Sequence, residues 1–309
     1  DPFVFRHTPS DSWVQVLFLE TNRVHTLGVY VSKDLRQWEL ASTIPGDSYD
    51  DPDPRRFLHE CPLLAEVPVE GTDEKRWLVA GASMAYRIGT FDGRAFTPET
   101  DVVTPFPQSI GPAGRAAYYK PYYAGQVFNG APDGRVVYMP WYKLETAPDA
   151  RFSQGLGLPL EFTLAKTSEG LRLRFLPIRE LQSLRTGAAT DFAAFRGELA
   201  EIEYSAMVGK NAKIAFDLRG VKLVYDAAKG TLSVGTEVSV PWKATAGRFA
   251  IRAYLDRIGI EVFELDGFQV LPDPTAKADL TRRDISVKAE GLLGDAEARV
   301  WDLKSLYGE

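Results

Sequence analysis

The residues best suited to chemistry are gathered in Phe57-Leu58-His59-Glu60-Cys61-Pro62-Leu63-Leu64. Glu60 stands beside a thiol and a rigid proline, in a segment apolar enough to go inside. Burial disfavours the charged form of a carboxyl group, so a glutamate held this way can keep its proton near neutrality, as a general acid must. Taken alone, a glutamate is more often ion-paired or at the surface. Its neighbours single this one out. A second carboxylate, Asp1, stands before Pro2-Phe3-Val4-Phe5 at the head of the sequence.

Other reactive groups offer less. Cys61 is the sole cysteine, which excludes an intrachain disulfide and a cysteine-based zinc site. His7, His25 and His59 make no recognisable metal spacing. Asp50-Asp51-Pro52-Asp53-Pro54-Arg55-Arg56 crowds carboxylates together but lacks the glycine and distal glutamate of a calcium loop, and a turn is expected there. Gly111-Pro112-Ala113-Gly114 is expected to be a loop and not a phosphate cradle. No metal site is expected.

The elements that must position these groups are strands. Trp13–Glu20 and Leu27–Ser32 are rich in β-branched and aromatic residues. Asp92-Gly93, Asp133-Gly134 and Asp266-Gly267 lie between apolar runs, the short-range mark of type I′ hairpins. Short strands at regular spacing fit a propeller or a sandwich, and spacing alone does not choose between them. Ile178–Leu184, after Pro177, has the apolar spacing of one short helix and is expected to connect two domains. Beyond it, 214–218, 221–225, 231–234, 249–255 and 298–303 alternate with polar residues, as sandwich strands with one buried face do.

A length of 309 residues suits two domains, and 45% apolar and 25% charged residues suit a globular chain. The net charge of −6 and absence of a basic run exclude a nucleic-acid partner. No run reaches the roughly 18 apolar residues of a membrane-spanning helix. A neutral oligosaccharide fits such a surface.

Several ordered motifs carry a resemblance. Glu60-Cys61-Pro62 follows Asp1-Pro2; Ser32-Lys33-Asp34-Leu35-Arg36-Gln37-Trp38 reads Ser-x-Asp-Leu-x-x-Trp; and Gly89-Thr90-Phe91-Asp92-Gly93 forms a hairpin signature. Tyr123-Ala124-Gly125-Gln126-Val127-Phe128, Phe152-Ser153-Gln154 through Pro159-Leu160-Glu161, and Leu255-Asp256-Arg257 with Ile260-Glu261-Val262-Phe263 complete the set. Together they resemble glycoside hydrolase family 32, whose members cleave β-fructosides such as sucrose, levan and inulin. The resemblance implies an all-β chain: a five-bladed β-propeller over 1–176, a linker with a short helix over 177–192, and a C-terminal β-sandwich over 193–309. It also implies that the first blade, with the nucleophile motif Trp-Met-Asn-Asp-Pro-Asn-Gly, precedes Asp1. No Asn-Asp-Pro occurs here, and Asp51-Pro52 and Asp53-Pro54 come too late to replace it.

Site roles follow from the same resemblance. Glu60 is expected to be the acid/base, and Asp1, in the place of the Asp of Arg-Asp-Pro, to grip fructose hydroxyls and steady the transition state. Cys61 is either a weak hydrogen-bonding neighbour or a small buried hydrophobe. Tyr123, Gln126, Trp141 and Gln154, with Tyr142 and Phe152, are expected to line the pocket, aromatic faces stacking on sugar C–H faces and amides gripping hydroxyls. Tyr119-Lys120-Pro121-Tyr122 and Ser153 depart from the invertase pattern, which leaves the outer subsites open. Glu261 is expected to be structural. The implied activity is retaining, exo-acting β-fructosidase on a fructan or sucrose-type oligosaccharide, without a cofactor, in an extracellular or periplasmic parent. Residues 1–309 alone are expected to hydrolyse negligibly, because the covalent step needs the nucleophile. A fructosyltransferase and a non-catalytic fructan-binding protein are the alternatives.

Overall fold

The computed structural model describes every residue except 52–56, 106–108, 111–115, 118–121, 143–153, 236–237, 258, 274–278 and 307–309. Its contacts divide into two compact units: the first holds Asp1–Pro105, Tyr122–Trp141 and Leu156–Phe175, the second the remaining described residues. The architecture is all-β, propeller-type sheets followed by a β-sandwich.

The first sheet is a meander of β1 (Pro2–His7), β2 (Ser12–Thr21), β3 (Val24–Ser32) and β4 (Glu39–Ser48). The second repeats it with β5 (Leu63–Pro68), β6 (Lys75–Ala80), β7 (Tyr86–Phe91) and β8 (Phe96–Pro98). After the short pair β9 (Ser109–Ile110) and β10 (Ala116–Ala117) comes a third sheet. It runs β11 (Tyr122–Val127), β12 (Val136–Tyr142), β14 (Leu160–Thr167) and β15 (Gly170–Pro177), with β13 (Gly155–Leu156) paired to β12. Period two is visible in β2: Val14 and Val16 are buried, while Trp13, Gln15 and Leu17 are half-exposed. Neighbouring sheets are stitched by rings and side chains. Phe5 meets Trp77 at 5.4 Å, Ser42 Oγ donates to Arg94 O at 2.6 Å, and Glu70 accepts from Thr163 Oγ1 at 2.7 Å and pairs with Arg174. Burial among these rings pushes the His7 imidazole down, opposed by Glu66 and Asp92.

One of the three Asp-Gly pairs makes the expected turn. Asp133 and Gly134 have φ of 62° and 66°, and Arg135 N–H closes on Pro132 O at 3.3 Å, a type I′ turn. At the other two, only Gly93 and Gly267 have positive φ. At the first of these, Asp92 Oδ1 caps the N–H groups of Arg94 and Ala95 at 2.8 and 2.7 Å. The helix expected over 178–184 is a 3₁₀ helix, Arg179–Leu184, with Leu181 N–H on Ile178 O and Arg185 N–H on Gln182 O, each at 3.2 Å; it starts at Arg179 because Ile178 stays extended with ψ 146°.

In the second unit β16 (Ala200–Leu218) serves two sheets. Its first half pairs with β20 (Arg248–Leu255) and β24 (Glu297–Asp302), and its second half with β17 (Val221–Asp226) and β23 (Ile285–Leu292). A register shift between Val208 and Lys213 lets one strand turn the corner. β18 (Thr231–Val234) and β19 (Val238–Pro241) extend one end, and β21 (Ile260–Glu264) and β22 (Val270–Asp273) the other. Trp242, Phe249, Tyr204 and Phe216 fill the space between the layers. Glu261 lies buried in β21.

Candidate active site

The chemistry-bearing residues gather where the sheets begin. Asp1 immediately precedes β1, Glu60-Cys61-Pro62 leads into β5, and Tyr123 is the second residue of β11. Each of these strands is the first of its meander.

Phe57, Leu58, Leu63 and Leu64 are buried, yet the side chain of Glu60 is 44% exposed. The apolar segment goes inside as expected, and the carboxylate does not. The backbone explains the difference. Leu58, Glu60 and Cys61 all adopt left-handed φ, at 59°, 52° and 36°, so the chain turns its carboxylate outward between two buried stretches. Such residues cost on the order of 1–3 kcal/mol each and persist only where their surroundings fix them. Here Ala82 N–H is shared by His59 O and Glu60 O, both at 3.0 Å, and Phe57 N–H donates to Asp47 Oδ2 at 3.0 Å. Ala82 O in turn accepts from Ala124 N–H at 2.9 Å, tying the loop to β11.

That tie aims β11 at Glu60. Tyr123 O–H donates to Glu60 Oε2 at 2.7 Å, and its ring meets Trp141 edge-on at 6.1 Å. Ala124 has φ 48°, so Tyr123 and Ala124 together fill one position of the strand's alternation, and Tyr123 and Gln126 share the half-buried face. Gln126 Oε1 is buried without a hydrogen-bond partner among the described residues. Behind this face Gly125 lies against Tyr138. A Cβ at Gly125 would sit 2.3 Å from Tyr138 Cζ. Tyr138 is wholly buried, and burial pushes its hydroxyl up, so its ring has little room to yield. Gly125→Ala is therefore expected to cost about 1–3 kcal/mol by overpacking, read as a lower melting temperature.

Cys61 is half-buried and free. Burial pushes its thiol up, and the Glu60 carboxylate adds to this. The thiol is thus held protonated beside Glu60; Asp1 is exposed at the head of β1.

Glu60, Cys61, Tyr123 and Trp141 are brought together, with Gln126 on the same face of β11. Tyr142 is not part of the lining. It is buried, and its hydroxyl donates to Ile260 O at 3.2 Å. Gln154 is exposed, with φ 83°, and belongs to the second unit. Phe152, Ser153, Tyr119-Lys120-Pro121, 52–56 and 111–114 lie outside the described residues. A cavity of about 350 Å³ lined by Ser32, Gln37, Trp38 and Arg94 shares no residue with the Glu60 cluster. Sequence reasoning missed the role of His59, whose Nε2 lies 3.5 Å from Glu60 Oε2, and of His25, whose ring is 4.7 Å from that of His59. The only signal was the adjacency of His59 to Glu60.

Known proteins are similar to this chain in sequence and in fold. A levanase of Bacillus subtilis is 26% identical over 362 aligned positions, covering 97% of this chain and 50% of that protein. An extracellular exo-inulinase of Meyerozyma guilliermondii is 28% identical, covering 81% of this chain and 50% of its own. The chain thus spans about half the length of these relatives. The crystal structure of an exo-inulinase from Aspergillus awamori superposes with a TM-score of 0.78 at 20% identity, over 99% of this chain and 67% of that one. A β-fructofuranosidase of Schwanniomyces occidentalis, complexed with fructosyl-erythritol, gives 0.74 at 17%, over 99% and 70%. Residues 1–174 match the glycosyl hydrolases family 32 N-terminal domain, and with that domain covering more than half of its length the chain belongs to glycoside hydrolase family 32.

Proposed function

We propose that this chain carries the acid/base side of a retaining β-fructosidase site acting on a fructan or sucrose-type oligosaccharide. The observation that carries this reading is Glu60, half-exposed on a strained Glu-Cys-Pro loop and held at Oε2 by Tyr123. Relatives named levanase and exo-inulinase support the substrate class.

Glu60 first donates its proton to the bridging oxygen while a carboxylate nucleophile attacks the fructosyl carbon. It then takes a proton from the water that releases fructose. The nucleophile belongs to an Asn-Asp-Pro motif that residues 1–309 do not contain. In a retaining enzyme its carboxyl group stands about 5–5.5 Å from the acid/base. Asp1 grips fructose hydroxyls. Tyr123 and Trp141 offer aromatic faces, and Cys61 and Gln126 complete the contacts. The propeller part spans 1–176, the linker 177–192 and the sandwich 193–309. No cofactor enters the scheme. An extracellular or periplasmic parent fits fructans too large to cross a membrane, and relatives are named extracellular.

The test is fructose release from levan, inulin and sucrose by the protein expressed from its complete coding sequence. Release from at least one is expected, with none from residues 1–309 alone. No release by the complete protein would sink the reading.

The scaffold has a measurable part. A Cβ at Gly81 would lie 2.8 Å from both Leu58 Cα and His59 N. These are backbone atoms of the Glu60 loop and cannot rotate away. Gly81→Ala is expected to displace the carboxyl group and lower kcat about 10- to 100-fold, since misplacement by about 1 Å costs on this order. Wild-type kcat in a folded Gly81→Ala variant would contradict this.

A further inference from the structure

We infer that His59 is a positioning residue for Glu60, and that His59 and Tyr123 together claim Oε2 so that the transferable proton resides on Oε1. This rests on the reading of Glu60 as acid/base.

Successive side chains of an extended backbone point apart. At Glu60 the left-handed φ of 52° reverses that, and the side chains of His59 and Glu60 converge: His59 Nε2 is 3.5 Å from Glu60 Oε2. The imidazole is held for this contact. Its side chain is 16% exposed, packed against His25 at 4.7 Å and edge-on to Phe18 at 5.7 Å and Tyr49 at 6.5 Å. His25, buried in β3, is itself fixed by Tyr49 edge-on at 4.4 Å. The aromatic wall leaves the ring little freedom to turn Nε2 elsewhere.

With the imidazole proton on Nε2, Oε2 faces two donors, Tyr123 O–H at 2.7 Å and His59 Nε2–H at an N···O separation of 3.5 Å. A proton on Oε2 would oppose that N–H and take the place of the tyrosine's. Oε1 has no hydrogen-bond partner among the described residues, and the carboxyl group is open to solvent. Oε1 is the oxygen free to carry a proton and meet the bridging oxygen of the substrate. As the proton moves from Oε1, the bond from the fructosyl carbon to the bridging oxygen breaks and its electron pair stays on that oxygen. Both donors then stabilise the carboxylate left behind. A separation of 3.5 Å exceeds a formed N–H···O bond, and such contacts tighten when substrate binds.

The experiment compares wild type, His59→Phe and His59→Gln in the complete protein, measuring kcat/KM on levan and on 4-nitrophenyl β-fructofuranoside. The nitrophenolate leaving group needs little protonation, so it reports everything except the acid. His59→Phe keeps a ring within the aromatic wall and removes the donor; His59→Gln restores an N–H. For His59→Phe the expected loss on levan is about 10- to 100-fold, with less than about 3-fold on the nitrophenyl substrate. His59→Gln is expected to regain at least about 5-fold on levan. Equal losses on both substrates, no loss on levan, or no recovery with glutamine would each overturn the inference. If wild type cleaves neither substrate, or Glu60→Gln leaves the levan rate unchanged, the acid/base reading fails and takes this inference with it.

Discussion

Glu60→Gln in the complete protein is expected to lower kcat on levan about 10³-fold while KM stays within about 3-fold. Glutamine has nearly the same shape and offers a carbonyl oxygen to Tyr123 O–H, so the 2.7 Å contact and the loop survive. What disappears is the group that gives a proton to the leaving oxygen and later takes one from water. Both halves of a double displacement use it, so a change of rate-limiting step does not mask the loss. KM moves little because the half-exposed carboxyl group contributes little to ground-state binding. Steady-state kinetics beside thermal melting check this. A folded variant retaining a tenth of wild-type kcat would contradict the assignment.

Arg185→Met is expected to destabilise the sandwich by about 3 kcal/mol, a fall in melting temperature of about 6–12 °C for a unit of this size. The side chain of Glu201 is 0% exposed. Arg185 binds it through both guanidinium arms, Nε to Oε2 and Nη2 to Oε1, each at 2.7 Å. The same guanidinium lies over Trp301 at 3.8 Å, a cation–π contact. Arg252 approaches Glu201 at 3.4 Å but bonds Glu203 at 2.5 Å, so it offsets only part of the loss. Methionine keeps the apolar stem and leaves a buried carboxylate with a divided partner. Calorimetry of Arg185→Met beside Glu201→Gln/Arg185→Met separates the charge from the packing: the double variant is expected to recover part of the loss. A melting temperature within about 1 °C of wild type for the single variant would show that the pair is dispensable.

How much of this was legible depends on where each instruction is written. The Glu60-Cys61-Pro62 string is local, and so was its reading. That Glu60 turns outward is not local: it depends on left-handed φ at Leu58, Glu60 and Cys61, and none is a residue type that announces such a turn. Their conformation is imposed by Gly81 and Ala82, from the connection after β6. Tyr123 and Gln126 share a face only because Ala124 breaks the alternation, and an alanine gives no sign of doing so. Asp92-Gly93 and Asp133-Gly134 read alike, yet the Asp92 cap separates their turns. Strand 214–218 was visible as an apolar alternation, but its continuity with the strand from Ala200 was not, since Gly209, Lys210 and Asn211 interrupt the pattern at the corner. His25 and His59 looked scattered because ring packing joins β3 to the loop before β5.

The most direct test of the central claim is chemical rescue of Glu60→Ala in the complete protein. With 4-nitrophenyl β-fructofuranoside the first step proceeds without the acid, and the fructosyl-enzyme then waits for a nucleophile that needs no base. Added azide is expected to raise turnover and to yield β-fructosyl azide, the configuration of the substrate. No acceleration by azide, or a product of inverted configuration, would contradict Glu60 as the acid/base of a retaining β-fructosidase.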